Sequence, residues 1–86
     1  GLYNDAAEFY LDNDLDNKLA MEWAKKSVAQ KERYWNLYTL ARAYAANGMK
    51  AEAIETATKS HTLAVEAKNT GFAQTVNTSL EEWRKN

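Results

Sequence analysis

The sequence predicts an all-α chain of five helices: two helix-turn-helix repeats and a C-terminal capping helix, in a right-handed stack. Three observations predict it. Pro is absent, Gly occurs three times and Ala supplies 15 of the 86 residues, the balance that most favours helix. Apolar residues recur at helical spacing, and no stretch alternates with the period of two that marks a strand. A shift of 33 residues also superimposes the first half of the chain on the second. The many alanines further predict close helix–helix approach.

The first helix is expected to open at Asp5, which with Glu8 spells a capping box. It runs through Phe9, Tyr10 and Leu11 and fades at Asp12-Asn13-Asp14. Asp16 is the expected N-cap of the second helix, whose stripe is Leu19, Ala20, Met21, Trp23, Ala24, Ser27 and Val28. Glu22 and Lys26 are spaced as an outward i,i+4 pair. Gln30 to Arg33 is a polar joint without Pro or Gly. The third helix places Leu37, Leu40, Ala41 and Tyr44 on one face and stops at Asn47-Gly48, where Gly accepts the left-handed conformation. The fourth starts near Lys50, carries Ala53, Ile54, Ala57, Ala64 and Ala67, and reaches about Lys68. Asn69-Thr70-Gly71 is expected to break it. The last helix aligns Phe72, Val76, Leu80 and Trp83.

The internal repeat organises these elements. Ala20 falls on Ala53, Met21 on Ile54, Ala24 on Ala57 and Ser27 on Ser60; Glu22 and Lys26 fall on Glu55 and Lys59. Ala7 falls on Leu40 and Leu11 on Tyr44. One such unit cannot bury its apolar face alone, so two must stack and the last helix must cover the open end.

These residues resemble the tetratricopeptide repeat. Leu37, Leu40, Ala41 and Tyr44 resemble its first-helix signature, with Leu at the usual Trp place and Ala at the usual Gly place. Gly48 matches the glycine between the helices, and Ala53, Ile54 and Ala57 match the second helix. The resemblance is good over 34–66 and weaker over 1–33, where Asn4 and Glu8 stand at normally apolar or small positions. The Pro between repeats is missing at both joints. It implies a single helical domain, 1–86, divided into repeat 1 (1–33), repeat 2 (34–69) and a cap (70–86). A narrower pattern is similar to the helical C-terminal segment of an uncharacterised bacterial family: Glu22-Trp23, Lys26-Ser27, Tyr34-Trp35-Asn36-Leu37, Ala53-Ile54-Glu55 and Glu81-Glu82-Trp83. There a β-rich domain precedes the helices and the protein is usually exported. That resemblance implies a domain excised from a longer chain, in keeping with Gly1 as a protease scar or cut edge, and a periplasmic or exported address. Without it a cytoplasmic one is expected.

The family resemblance implies a concave groove lined by the first helix of each pair. Asp5, Phe9 and Asp12 would face it from the first helix, Trp35, Tyr38 and Arg42 from the third, and Gln74 and Thr78 from the last. Two aromatics beside an Arg is the composition of binding hot spots, and an Arg fork suits a carboxylate or a carbonyl. The alternative is that Trp35 and Tyr38 pack against the last helix. The Lys and Asn clamp of the family's chaperone-tail binders is absent, since Asp5, Phe9 and Thr39 occupy its places.

Other chemistry lacks parts. A net charge of −1, from 11 Lys and Arg against 12 Asp and Glu, argues against a nucleic-acid binder or a polybasic membrane segment. No Cys is present, which removes disulfides, thiolate catalysis and Cys-based zinc sites. No apolar run approaches the roughly 20 residues that span a bilayer. Asp12-x-Asp14-x-Asp16 begins like a calcium loop, but Asn17 and Trp23 stand where an EF-hand needs Gly and Glu, so an acidic turn is expected. His61, the lone histidine, reads as a half-buried structural residue. Lys25, Lys26, Lys31 and Arg33 form a local basic cluster, in which Lys25 and Lys26 read as cations offsetting a negative helix end rather than as part of a phosphate site. The Asn77-Thr78-Ser79 sequon lies mid-helix. Neither a catalytic centre nor a cofactor is expected. The expected function is a non-catalytic module, a monomer or weak homodimer, that offers a helical groove to a protein or peptide. The alternative is a structural appendage docked on a neighbouring domain of its own parent chain.

Overall fold

The computed structural model describes residues 1–85, which form five helices. These are α1 (Leu2–Asp12), α2 (Asn17–Gln30), α3 (Tyr34–Ala46), α4 (Lys50–Glu66) and α5 (Thr70–Arg84). No strand occurs among the described residues. Each helix packs against the next, and α1 also packs against α3. The radius of gyration, 11.8 Å, is about that of a fully packed chain of this length.

Small side chains set that compactness. Ala7, Ala20, Ala24, Ala41, Ala43, Ala53, Ala57 and Ala64 are wholly buried, so the backbones approach as the alanine content predicts. Two core clusters follow the repeat. Ala24 joins Ala7 and Leu40, flanked by Met21, Trp23, Val28 and Tyr44. Its repeat equivalent Ala57 joins Ala41, Val76 and Leu80, flanked by Tyr38, Ile54, Phe72 and Trp83. The last helix thus closes the second cluster with the stripe predicted for it. Ala67 leaves its predicted stripe: it caps α4 and is exposed.

Three of the four connections share one closure. After α1, α3 and α4, a residue in the left-handed region is followed by an amide that bonds five residues back. Asp14 (φ 51°), Gly48 (φ 75°) and Lys68 (φ 61°) take that conformation. The closing bonds are Leu15 N–H to Tyr10 C=O, Met49 to Tyr44 and Asn69 to Ala64, each 2.9 Å. They satisfy carbonyls that a helix end otherwise leaves free. Only Gly48 signals this in the sequence. The fourth helix breaks at Lys68, and Gly71 lies inside the first turn of α5.

The joint between α2 and α3 is extended instead and is held by one side chain. Asn36, almost fully buried, accepts from the Arg33 amide at 2.8 Å and donates to Lys31 C=O at 2.8 Å and Ser27 Oγ at 3.1 Å. Two polar contacts then seat the second repeat. The Ser60 hydroxyl donates to Tyr34 C=O at 2.6 Å, and Asn69 donates to the Tyr34 hydroxyl at 3.1 Å while capping the Phe72 amide at 3.0 Å. Ser27 and Ser60, equivalent in the repeat, are both buried but bond in different directions.

Asp16 caps α2 as expected, accepting from the Leu19 amide at 3.0 Å. Asp5 does not cap α1. That helix starts at Leu2 with Gly1 as its N-cap, and the Asp5 amide already bonds Gly1 C=O at 2.9 Å. Leu2 and Tyr3 simply prolong the helix. Asp5 sits in its first turn, where a carboxylate still favours the positive helix end. Lys25 and Lys26 do not offset the α2 terminus, because α2 continues to Gln30. Their ammonium groups lie over the rings of Tyr44 (5.7 Å) and Tyr3 (5.5 Å), so Lys26 is not the ion-pair partner of Glu22.

Candidate interaction surface

The buried side of α1 is marked by Asn4 and Ala7. With 100° per residue, Leu2, Asp5, Phe9 and Asp12 fall together on the opposite side, and all four are exposed. On α3 the buried residues Asn36, Leu37, Thr39, Leu40, Ala41 and Ala43 leave Trp35, Tyr38 and Arg42 on the remaining strip. The two strips adjoin, because an Arg42 guanidinium nitrogen lies 2.7 Å from Asp12 Oδ1. Asp12 and Arg42 thus join the exposed strips of α1 and α3 at one end; Asp5 and Phe9 lie further along the first strip, Trp35 and Tyr38 further along the second.

Their environments differ. Phe9 is 59% exposed and Trp35 38%. The Trp35 indole is met edge-on by Tyr34 at 5.2 Å and covered by the Arg33 guanidinium at 5.4 Å. Tyr38 is half-buried and belongs to the domain's own packing. Its hydroxyl shares a 2.6 Å hydrogen bond with Ser79 Oγ, and its ring meets Phe72 edge-on at 5.6 Å. So the two aromatics divide: Tyr38 packs on the last helix, and Trp35 stays 38% exposed, flanked by Tyr34 and Arg33.

The last helix meets α3 through Phe72 and Ser79. Thr78 is turned about 100° from Ser79 and Gln74 further still. Both are exposed, and the Thr78 hydroxyl bonds back to Gln74 C=O at 3.1 Å. These two are thus not brought to the strips that the other six occupy. Ser79 is the residue that the sequence register missed. Its signal was the i+7 spacing from Phe72, which repeats the face of α5 that reaches α3.

Two hollows lie elsewhere. One of about 230 Å³ is lined by Glu32, Thr58, Lys59, Thr62 and Leu63, beside the 3.0 Å Lys59–Glu32 pair. The other, about 220 Å³, lies between the start of α1 and the α2–α3 joint, lined by Gly1, Ser27, Gln30, Lys31, Arg33, Trp35 and Asn36. Trp35 borders this second hollow, so it links the joint to the α1/α3 face. In the acidic turn the Asp16 carboxylate caps α2, Asp12 holds Arg42, and Asp14 contributes its left-handed backbone. Among the described residues no group of three or more His, Cys, Asp or Glu side chains is placed to hold a metal ion. His61 is half-buried on α4, and no described helix is long and apolar enough to cross a membrane.

The arrangement supplies apolar contact, one exposed ion pair and aromatic faces. Compared with known proteins, the chain matches no family model, no curated protein and no solved structure.

Proposed function

We propose that the chain is a tetratricopeptide-like interaction module whose α1/α3 face receives a protein or peptide partner. One observation carries this reading: Phe9 and Trp35 remain exposed on the strips of α1 and α3 that the Asp12–Arg42 pair joins, while the apolar stripes of all five helices are spent on the two core clusters. Large aromatics held in solvent on a rigid helical surface, beside an Arg, are what binding hot spots use. The pairwise helix order, the contact of α1 with α3 and the equivalence of Ala24 and Ala57 support the tetratricopeptide-like reading.

The same face would serve a neighbouring domain of the parent chain, and Leu2, 85% exposed on α1, favours that second reading. An affinity capture with this domain as bait separates the two. A Trp35→Ala, Arg42→Ala double variant runs beside it. A protein retained by the wild type and lost by the variant supports an outside partner. If both baits return nothing while the isolated neighbouring domain binds, the docking reading replaces it.

A further inference from the structure

The hollow at the α2–α3 joint holds a chemistry that the interaction surface does not use. Its charged side chains are cationic: Lys31 and Arg33 line it, and no Asp or Glu does. Among the described residues the ion pairs are Arg42–Asp12 and Lys59–Glu32, so neither cation is neutralised by a carboxylate. Arg33 rests on the Trp35 ring instead. The acids nearest along the chain are Glu32, committed to Lys59, and Asp5, exposed in the first turn of α1 beyond Gly1. Setting Asp5 against the two cations leaves the balance positive, with the terminal amine of Gly1 still uncounted.

Uncommitted donors meet the same space. α3 opens onto it through Trp35 and Asn36. The Leu37 amide bonds Arg33 C=O, and the amides ahead of it have no partner within the helix, at its positive end. The Ser27 hydroxyl is the sharper mark. Ser27 is 8% exposed, and its Oγ accepts from Asn36 at 3.1 Å. Its own proton meets no acceptor among the described residues, whereas the equivalent Ser60 donates to Tyr34 C=O at 2.6 Å. A buried donor left unspent beside a hollow is costly unless something in the hollow accepts from it.

We propose that this hollow binds a phosphate-class oxyanion, free or as the head of a small phosphate monoester. Such a group calls for donors and positive charge together. The Arg33 guanidinium and the Lys31 ammonium supply charge-assisted bonds, the start of α3 supplies oriented amides, and Ser27 supplies a hydroxyl donor. A cationic ligand would face two like charges, and an apolar one would bury the Ser27 donor without a partner. The volume, about 220 Å³, is several times the ~30 Å³ share of one water. It admits a phosphate group and part of an ester beside Trp35. The proposal stands whether or not the α1/α3 face receives a protein.

The test titrates the isotope-labelled domain with inorganic phosphate, phenyl phosphate and phenylacetate, each against sodium chloride at matched ionic strength. Backbone amide shifts report binding. Saturable phosphate shifts centred on residues 27–36, absent with chloride, are expected. Tighter binding of phenyl phosphate assigns the ester as the natural form, and equal binding assigns free phosphate. Arg33→Gln, at an exposed position, should weaken phenyl phosphate at least ~10-fold, and Lys31→Gln several-fold. Ser27→Ala should also weaken it several-fold with circular dichroism unchanged, because Asn36 keeps its bond to Lys31 C=O. Phosphate shifts no larger than those of chloride, or centred on Lys25 and Lys26, overturn the proposal. So does an Arg33→Gln variant that binds as tightly as the wild type. Phenylacetate bound as tightly as phenyl phosphate overturns the phosphate class.

Discussion

Asn4 offers the sharpest test of the packing. It is 4% exposed on the inner side of α1, and its Oδ1 is buried with no hydrogen-bond partner. As placed, the amide strands a buried acceptor. Such an atom costs about 1–3 kcal/mol of desolvation. Asn4→Leu keeps the branched outline of the side chain and removes the polar group. The rounder methyls crowd the site, and a near-isosteric swap costs below about 1.5 kcal/mol. The expected balance is a gain of about 1 kcal/mol. For a domain of this size that raises Tm by roughly 4–8 °C. Thermal and urea unfolding followed by circular dichroism measure it, with Asn4→Asp as the opposite control, expected to lose over ~2 kcal/mol by burying a charge. A Leu variant destabilised by more than ~1 kcal/mol would refute the reasoning. It would mean that Asn4 is satisfied by an ordered internal water that the apolar side chain expels.

Three further outcomes follow from the same geometry. Ala57→Glu forces a carboxylate into the wholly buried centre of the second cluster, so it should abolish cooperative unfolding; a melting curve like the wild type's would overturn the repeat alignment. Arg42→Ala breaks a pair whose side chains are 31% and 60% exposed, so its cost should stay within about 0–1 kcal/mol. A loss of several kcal/mol in urea titration would show that the pair is desolvated. Lys68→Gly relieves a left-handed residue at φ 61°, and calorimetry should find a gain of a few tenths to about 1 kcal/mol. A loss would mean that the Lys68 side chain stabilises the turn.

The sequence by itself determined which segments are helical and which of their faces are apolar. Those properties are local: alanine content, the 3.6-residue period, the Asp16 cap and the Gly48 stop act within a turn or two of chain. The 33-residue repeat carried the reading one level higher, because Ala24 and Ala57 occupy matching centres of two clusters. Where the sequence signals failed, the failures lay at helix ends. Asp14 and Lys68 adopt the left-handed turn that only Gly48 advertised, since closing each helix end on the fifth residue back outweighs the strain. Asp5 looked like a cap because its neighbours spell one, yet Leu2 and Tyr3 extend the helix past it.

The candidate face was legible in the same measure. On α1 and α3, whose register the repeat sets, Asp12 and Arg42 meet, and Phe9 and Trp35 stay exposed. Gln74 and Thr78 do not join them, because the cap lies outside the repeat, and only its docking through Ser79 and Phe72 fixes its rotation. Tertiary structure alone divided the two aromatics. Sequence spacing places Trp35 and Tyr38 on one strip, but only the approach of α5 decides that Tyr38 is tied into the core while Trp35 stays partly exposed. It alone made Asn36 the clamp of a joint that carries neither Pro nor Gly. Side-chain hydrogen bonds of that kind join groups up to nine residues apart or on different helices, and no local period encodes them.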